Sequence, residues 1–343
     1  MDDVSSVRLF IKKGIFIHMG NPYKQLKEWR NSHLQKAKTV TELNSIHDQV
    51  MKQSFHLSFE IVKKKYGPAP CEFTWFLVGS GGRGEQAKIS DQDHGLIFHS
   101  NEKEALDYFL LLGKEVSFGL NVIGYPYCEG NVMCSTSLWC RSEQSWSKQI
   151  NKWLQDETFD SIRYLLIFFD ARTIIGQSES IHRLKNQIFQ YIQYNPDFLG
   201  RLLNNTMHVK KGVGIFHQLL PETYGPHSGA IDLKQAGLLP YINSVRLLAI
   251  KERLLDTSTL SRFQLLMKQE YFRHVLSPYH TYFQELVTIH FKNSLKANTY
   301  DEVHYLSLKD LSKEEKGRLK KIILGGKKLM NETKSIIEKG VNP

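Results

Sequence analysis

No apolar run in the 343 residues approaches the ~20 needed to span a bilayer, which excludes a membrane helix. Four cysteines are too few for a disulfide framework, so a reducing cytoplasm is the expected setting. Cys128, Cys134 and Cys140 recur every six residues, but they form no C-x2-C pair and bring no evident fourth ligand. They read as ordinary thiols rather than a zinc site. The fourteen histidines include no H-x-x-x-H pair on a convincing helix, and none is assigned to metal or general-base work. Internal repeats and low-complexity linkers are missing too. The opening "MDDVSSVRLFIKKG" is acidic and lacks a sustained apolar region, so no signal peptide is expected.

What is present is ordinary for a globular chain of two domains: 41% hydrophobic and 23% charged residues. The formal net charge of +10 suggests anionic partners such as nucleotides or nucleic acid. Much of that excess lies in "KEEKGRLKKIILGGKKLMNETK" near the C-terminus, which a solvated helical face explains equally well.

Residues 1–66 read as helical, a segment that braces the α+β domain beginning at 67. Thr41 is a plausible N-cap, and Leu43, Ile46, Val50, Phe55, Phe59 and Val62 form an apolar stripe. "GPAP" at 67–70 stops that helix. "FTWFLVG" then reads as a buried strand, "DHGLIF" as a second, and "EKEALDYFLLLGKEVSFGL" as a helix. "IGYPYCEGNVMCSTSLW" is an irregular loop, and "SEQSWSKQINKWLQ" a helix with Trp146, Ile150 and Trp153 on one face. "YLLIFF" at 164–169 reads as another core strand. Beyond about 195 only helices are expected. The fold class is therefore α+β over 67–180, followed by an α-helical domain over 195–340.

The informative stretch is Leu77–Phe98, "LVGSGGRGEQAKISDQDHGLIF". Its glycines follow a strand and precede a helix expected near Arg83, so backbone N–H groups and a positive helix end could meet phosphate. No G-K-[ST] follows, so this is not a Walker A loop, and the Rossmann spacing fails. Asp91 and Asp93 then sit at i and i+2 entering a strand. Strand side chains alternate, so both carboxylates face the same way, about 7 Å apart along the backbone. Like charges on one face repel unless a cation lies between them, and magnesium takes carboxylates together with substrate phosphates. A glycine cradle followed by D-x-D is an arrangement for phosphoryl transfer.

The pattern G-S-x(2)-R-G-E…S-D-x-D resembles the nucleotidyltransferase signature of the DNA polymerase β superfamily. Its cousins include the bacterial PII uridylyltransferases and the glutamine synthetase adenylyltransferases. Together with "GYPYCEGNVMCSTSLW", "FFDARTIIG" and "IDLKQAGLLPYINSVRLLAI", the chain over about 40–335 is similar to a family of putative nucleotidyltransferases with a helical substrate-binding C-terminal domain. The resemblance implies a polymerase-β-like core, a small mixed sheet with flanking helices. It also implies three carboxylates holding two ions, magnesium or manganese. Asp91 and Asp93 match the first two, and Asp170 is the candidate third; the alternative for Asp170 is pairing with Arg163 or Arg172.

The resemblance further implies that Ser80 and the backbone of Gly79, Gly81 and Gly82 hold the β and γ phosphates. Arg83 would bind phosphate or brace the loop against Glu85, with Glu85 and Gln86 structural. Lys234 and Asp232 could face the cleft, "DLK" being otherwise a helix-start cap. Trp139 and Trp146 could stack on a base, core packing being the stronger expectation.

The reaction so implied moves a nucleoside monophosphate from a nucleoside triphosphate to a hydroxyl of a protein or small molecule, releasing pyrophosphate. The rival is a metal–nucleotide-binding regulatory module without turnover. Nucleic-acid end modification lacks an aromatic-interleaved basic stripe and is not favoured.

Overall fold

The structure is a computed structural model and describes residues 21–216 and 218–339. Residues 1–20, read for a signal peptide and as part of the helical segment 1–66, lie outside the described residues. The described chain begins with α1 (Pro22–Leu34) and α2 (Val40–Tyr66). Thr39, not Thr41, caps α2, its hydroxyl accepting from Glu42 N at 3.1 Å. The expected stripe faces inward: Leu43, Val50, Phe55 and Val62 are buried.

Four strands make the sheet: β1 (Phe73–Leu77), β2 (His94–Phe98), β3 (Cys140–Ser142) and β4 (Arg172–Ile175). Their order is β3-β2-β1-β4, with β1 antiparallel to β2 and β4, and β2 parallel to β3. Between β1 and β2 lies the short α3 (Gly79–Arg83); α4 (Lys103–Ile123) follows β2. The unbroken apolar run of β1 reflects burial on both faces. Trp75 and Leu77 pack with Leu96, Phe98, α4 and the two N-terminal helices. Phe76 and Val78 pack on the other side, with Ile97, Trp139 and Trp146. The N-terminal helices therefore share one core with the sheet.

Beyond β3 come α5 (Glu143–Asp156), α6 (Phe159–Phe169), α7 (Glu179–Tyr194) and α8 (Phe198–Thr206). The expected strand at 164–169 is helical. Thr158 caps α6, and Ile162, Leu165, Leu166, Phe168 and Phe169 are all buried. A helix buried nearly all round and a buried strand look alike in so short an apolar run. The strand comes after it, at Arg172.

The C-terminal half is a helical layer: a π-helical turn (Leu233–Leu238), α9 (Leu239–Lys251), α10 (Thr259–Leu266), α11 (Glu270–Lys296) and α12 (Lys313–Glu338). It is not purely helical, because β5 (Ala230–Asp232) pairs antiparallel with β6 (Tyr305–Ser307). In α12 the apolar positions Leu319, Ile322, Leu329 and Ile336 are buried while Lys321, Lys327 and Lys328 are exposed. The basic run is a solvated helix face. The halves meet in one core: Leu247 and Ile250 of α9 join the cluster beneath the sheet.

Candidate active site

The helix expected to begin near Arg83 ends there instead, because the glycine-rich turn folds into α3 itself, and each of three glycines answers to a different neighbour. Gly79 has φ +58°, and a Cβ there would lie 2.4 Å from Asp93 Oδ2. A Cβ on Gly81 would stand 3.2 Å from Leu77 Cδ1, and one on Gly82 only 2.1 Å from the Asp170 carbonyl oxygen. The Gly79 backbone is thus pressed against a carboxylate, while Gly82 is pressed against a neighbouring backbone. The Gly82 N–H already donates to Val78 O at 2.9 Å, so against expectation it is not open to phosphate. Ser80 Oγ lies 3.3 Å from Ser90 Oγ across the turn.

The D-x-D segment owes its direction to Gln92. This residue is wholly buried and donates to Ser117 O at 3.1 Å and Tyr125 O at 3.0 Å. With Gln92 locked inward, strand alternation turns Asp91 and Asp93 outward together. They meet Cys128, and one ligand atom from each of the three lies within 4.8 Å of the others. Burial, then the Asp91 charge, raises the Asp93 carboxyl to about 7. Burial also raises Asp91, with Lys234 and Tyr300 opposing it. The Cys128 thiol is pushed up to about 12 by burial and by the neighbouring Asp93 charge. Asp93 Oδ1 is buried and makes no hydrogen bond.

Those features fit a divalent cation: two like charges held together against solvation, one oxygen left unbonded, and a glycine cradle alongside. The thiol is a soft donor beside two hard ones, so Asp91 and Asp93 are the pair that would hold magnesium or manganese.

A cavity of about 220 Å³ encloses this pair, lined by Gly79, Ser80, Arg83, Lys234, Tyr300 and His304 among others. It is on the small side for a whole nucleotide, and the carboxylate end is what it encloses. Lys234 reaches it from the first turn after β5, its Nζ donating to the Tyr300 hydroxyl at 3.2 Å. Asp232 instead caps that turn, accepting from Gln235 N at 2.9 Å. Trp139 and Trp146 are wholly buried, 5.7 Å apart, and belong to the core rather than to a base-stacking platform.

Asp170 is not brought to the pair, and the expectation of a third carboxylate on a later strand needs correction. It caps the C-terminus of α6 and is fully buried. Its Oδ1 accepts from Arg246 Nε at 3.0 Å and Arg262 Nη1 at 2.8 Å. Its Oδ2 accepts from Arg83 Nη1 at 2.7 Å and Arg246 Nη2 at 2.6 Å. Burial alone would raise its pKa, but Arg246, Arg262 and Arg83 hold it far below the usual carboxylate range. Both oxygens are committed to guanidinium groups, so no lone pair is aimed at a cation.

Of the arginines expected as alternative partners, Arg172 pairs instead with Asp48 and donates to Gly81 O and Gly82 O. Arg83 braces the loop between Glu85 and Asp170, and Glu85 accepts from Thr259 N at 2.9 Å. Gln86 is held by Asn44.

No sequence signal marks Tyr300, His290 or His304 as site residues. The two imidazoles stack 5.6 Å apart in the cavity wall, His304 in edge contact with Tyr300 at 5.1 Å. Burial and the Lys234 charge depress both, His290 to about 4 and His304 to about 3, so they are neutral. The segment carrying Tyr300 and His304 lacks periodicity or a motif. Cys128, read from its spacing as an ordinary thiol, is brought beside the two carboxylates, while Cys134 and Cys140 are buried elsewhere in the core.

The family described as "Putative nucleotidyltransferase DUF294" matches residues 24–160. The one described as "Putative nucleotidyltransferase substrate binding domain" matches residues 196–336. The first match begins in α1 and so takes in both N-terminal helices. None of the curated proteins matches the chain.

Proposed function

The chain belongs to the family that joins these two domains in this order, and from that premise we propose metal-dependent transfer of a nucleoside monophosphate from a nucleoside triphosphate to a hydroxyl group. Pyrophosphate is the leaving group. The observation that carries the reading is the buried, unbonded Oδ1 of Asp93 beside Asp91, in one cavity with the glycine turn.

Asp91 and Asp93 would hold the divalent cation, which when bound supplies charge neutralisation for the triphosphate and acidifies a hydroxyl. Ser80 and the first N–H groups of α3, which have no partner four residues back, would face the phosphates. Lys234 adds positive charge from the opposite wall, where phosphate oxygens would pass. Arg83 supports the loop from behind. The reading keeps a cation on two carboxylates and drops the three-carboxylate arrangement, because Asp170 is spent on arginines.

That loss also gives the rival reading its one specific support. A module that binds metal–nucleotide without turnover needs no third ligand, and none of the described carboxylates supplies one within the cluster. Calorimetric titration of ATP, UTP, GTP and CTP with magnesium, against wild type and the Asp91→Asn/Asp93→Asn double variant, tests the site. Binding that the variant loses establishes a metal–nucleotide site and ranks the bases. Pyrophosphate release with the best nucleotide then separates enzyme from sensor. Binding of no nucleotide by the wild type would reject both readings.

A further inference from the structure

The cavity wall includes a tyrosine hydroxyl on the side of the helical half. Tyr300 comes from the turn between α11 and β6, on the helical half of the molecule. Its hydroxyl lies beside the Asp91 carboxylate, accepts from Lys234 Nζ at 3.2 Å, and feels the Asp93 charge as well. The other hydroxyls lining the cavity, Ser80 and Ser90, lie on the glycine-turn side and face each other at 3.3 Å. Among the described lining residues, Tyr300 is therefore the hydroxyl presented to the carboxylates from the opposite wall.

This placement is built in. Ala297 and Val303, on either side of Tyr300, are buried against Ala87 and Ile89, four and two residues before Asp91. Lys88 donates through Nζ to Leu295 O at 3.0 Å and Ala297 O at 3.3 Å. Asn293 Nδ2 holds Val303 O at 3.0 Å and Tyr305 O at 3.2 Å. Within the turn, Glu302 accepts from Asn298 N at 2.8 Å. A side chain fixed this way has lost little further freedom when a reactive group arrives beside it, which is the advantage intramolecular reactions enjoy.

We propose that Tyr300 is itself a nucleotidyl acceptor, so that the chain modifies its own helical domain; the proposal rests on the nucleotidyltransferase reading above. Tyr300 Oη attacks the α-phosphorus of a bound nucleoside triphosphate, forming an Oη–P bond. The α–β phosphoanhydride breaks, pyrophosphate departs, and the phenolic proton is released to water. Nothing is oxidised or reduced. Lys234, against the hydroxyl, meets the negative charge carried by the α-phosphate. The product fills the cavity with a tethered nucleotide, so the reaction is self-limiting.

The test incubates the full chain with magnesium and the nucleotide that binds best among ATP, UTP, GTP and CTP. The denatured, metal-free chain is then weighed and peptide-mapped. The expected result is a mass gain of one nucleoside monophosphate, located on Tyr300. It is accompanied by a pyrophosphate burst stoichiometric with chain, and by no adduct in Tyr300→Phe, a variant that keeps the ring against His304. Circular dichroism confirms that the variant is folded. Nucleotide binding without an adduct on Tyr300, or with an adduct elsewhere that persists in Tyr300→Phe, overturns the self-modification while leaving the nucleotide site standing. That outcome would make Tyr300 a plug that occupies the acceptor's place. Failure of every nucleotide to bind would remove the enzyme reading first and this one with it.

Discussion

Asp93 is held in a position that its own charge disfavours. Burial and Asp91 raise it to about 7, and a glycine backbone closes over its Oδ2. Each pKa unit corresponds to about 1.4 kcal/mol of preference for the neutral form. Between the ordinary carboxylate pKa and about 7, the folded chain binds a proton that the unfolded chain releases. Stability of the metal-free protein must then fall as pH rises through that window. Thermal melts in chelator at pH 5 and pH 8 should show wild type losing several degrees more than Asp93→Asn. Equal losses would show that the carboxylate is better solvated than its surroundings imply. The same variant should abolish magnesium-dependent pyrophosphate release while circular dichroism stays unchanged. Retained turnover would remove Asp93 from the site.

At the scale of elements, the turn from β1 into α3 does two jobs with adjacent glycines, and substitutions should separate them. Gly79→Ala places a methyl group 2.4 Å from Asp93 Oδ2 at a φ of +58°, so the carboxylate must move. We expect manganese affinity to fall at least tenfold, read by calorimetry, with a smaller loss of stability. Gly82→Val acts elsewhere: its Cβ would collide with the Asp170 carbonyl at 2.1 Å and approach Leu77 O at 2.9 Å. Simple crowding of the phosphate loop would lower nucleotide affinity, but here the collision is with backbone that supports two domains. The expected effect is destabilisation by roughly 3 kcal/mol or more, since overpacking against a rigid backbone cannot relax. A Gly82→Val protein with wild-type melting and weakened nucleotide binding would reverse that assignment.

For the whole molecule, the deciding contact is the buried node at Asp170. One carboxylate from the sheet-bearing half binds Arg83 behind the glycine turn and Arg246 and Arg262 from the helical half. Removing the anion leaves the buried guanidinium groups of Arg246 and Arg262 uncompensated, Arg83 keeping Glu85, which costs about 3–5 kcal/mol in comparable pairs. Asp170→Asn should therefore lower Tm on the order of 10 °C, and leave manganese affinity of the folded protein within about threefold of wild type. The opposite pattern, lost metal affinity with an unchanged Tm, would restore Asp170 as a ligand. The shared core beneath the sheet, where Leu247 and Ile250 of α9 join Phe168 and Trp146, makes the two halves one packed body around this node.

The sequence by itself determined whatever is local. The doubly buried β1, the apolar stripe of α2, the glycine turn and the D-x-D facing all derive from side-chain period and backbone freedom. These act over a few residues and leave their mark there. It did not determine which half of "YLLIFFDARTII" is helix, because a short segment apolar on every side satisfies either period. Nor could it tell that Asp170 meets arginines 76 and 92 residues away, rather than a cation. A buried carboxylate needs compensating charge, but sequence alone is silent on whether metal or guanidinium provides it. Tertiary structure decided that. It also decided that Tyr300, from a turn without a motif, joins Lys234 of the matched "IDLKQAGLL" stretch in the cavity wall beside Asp91 and Asp93. Their position is set by how the helical half packs on the Ala87–Ile89 segment. Such long-range packing has no local pattern to announce it.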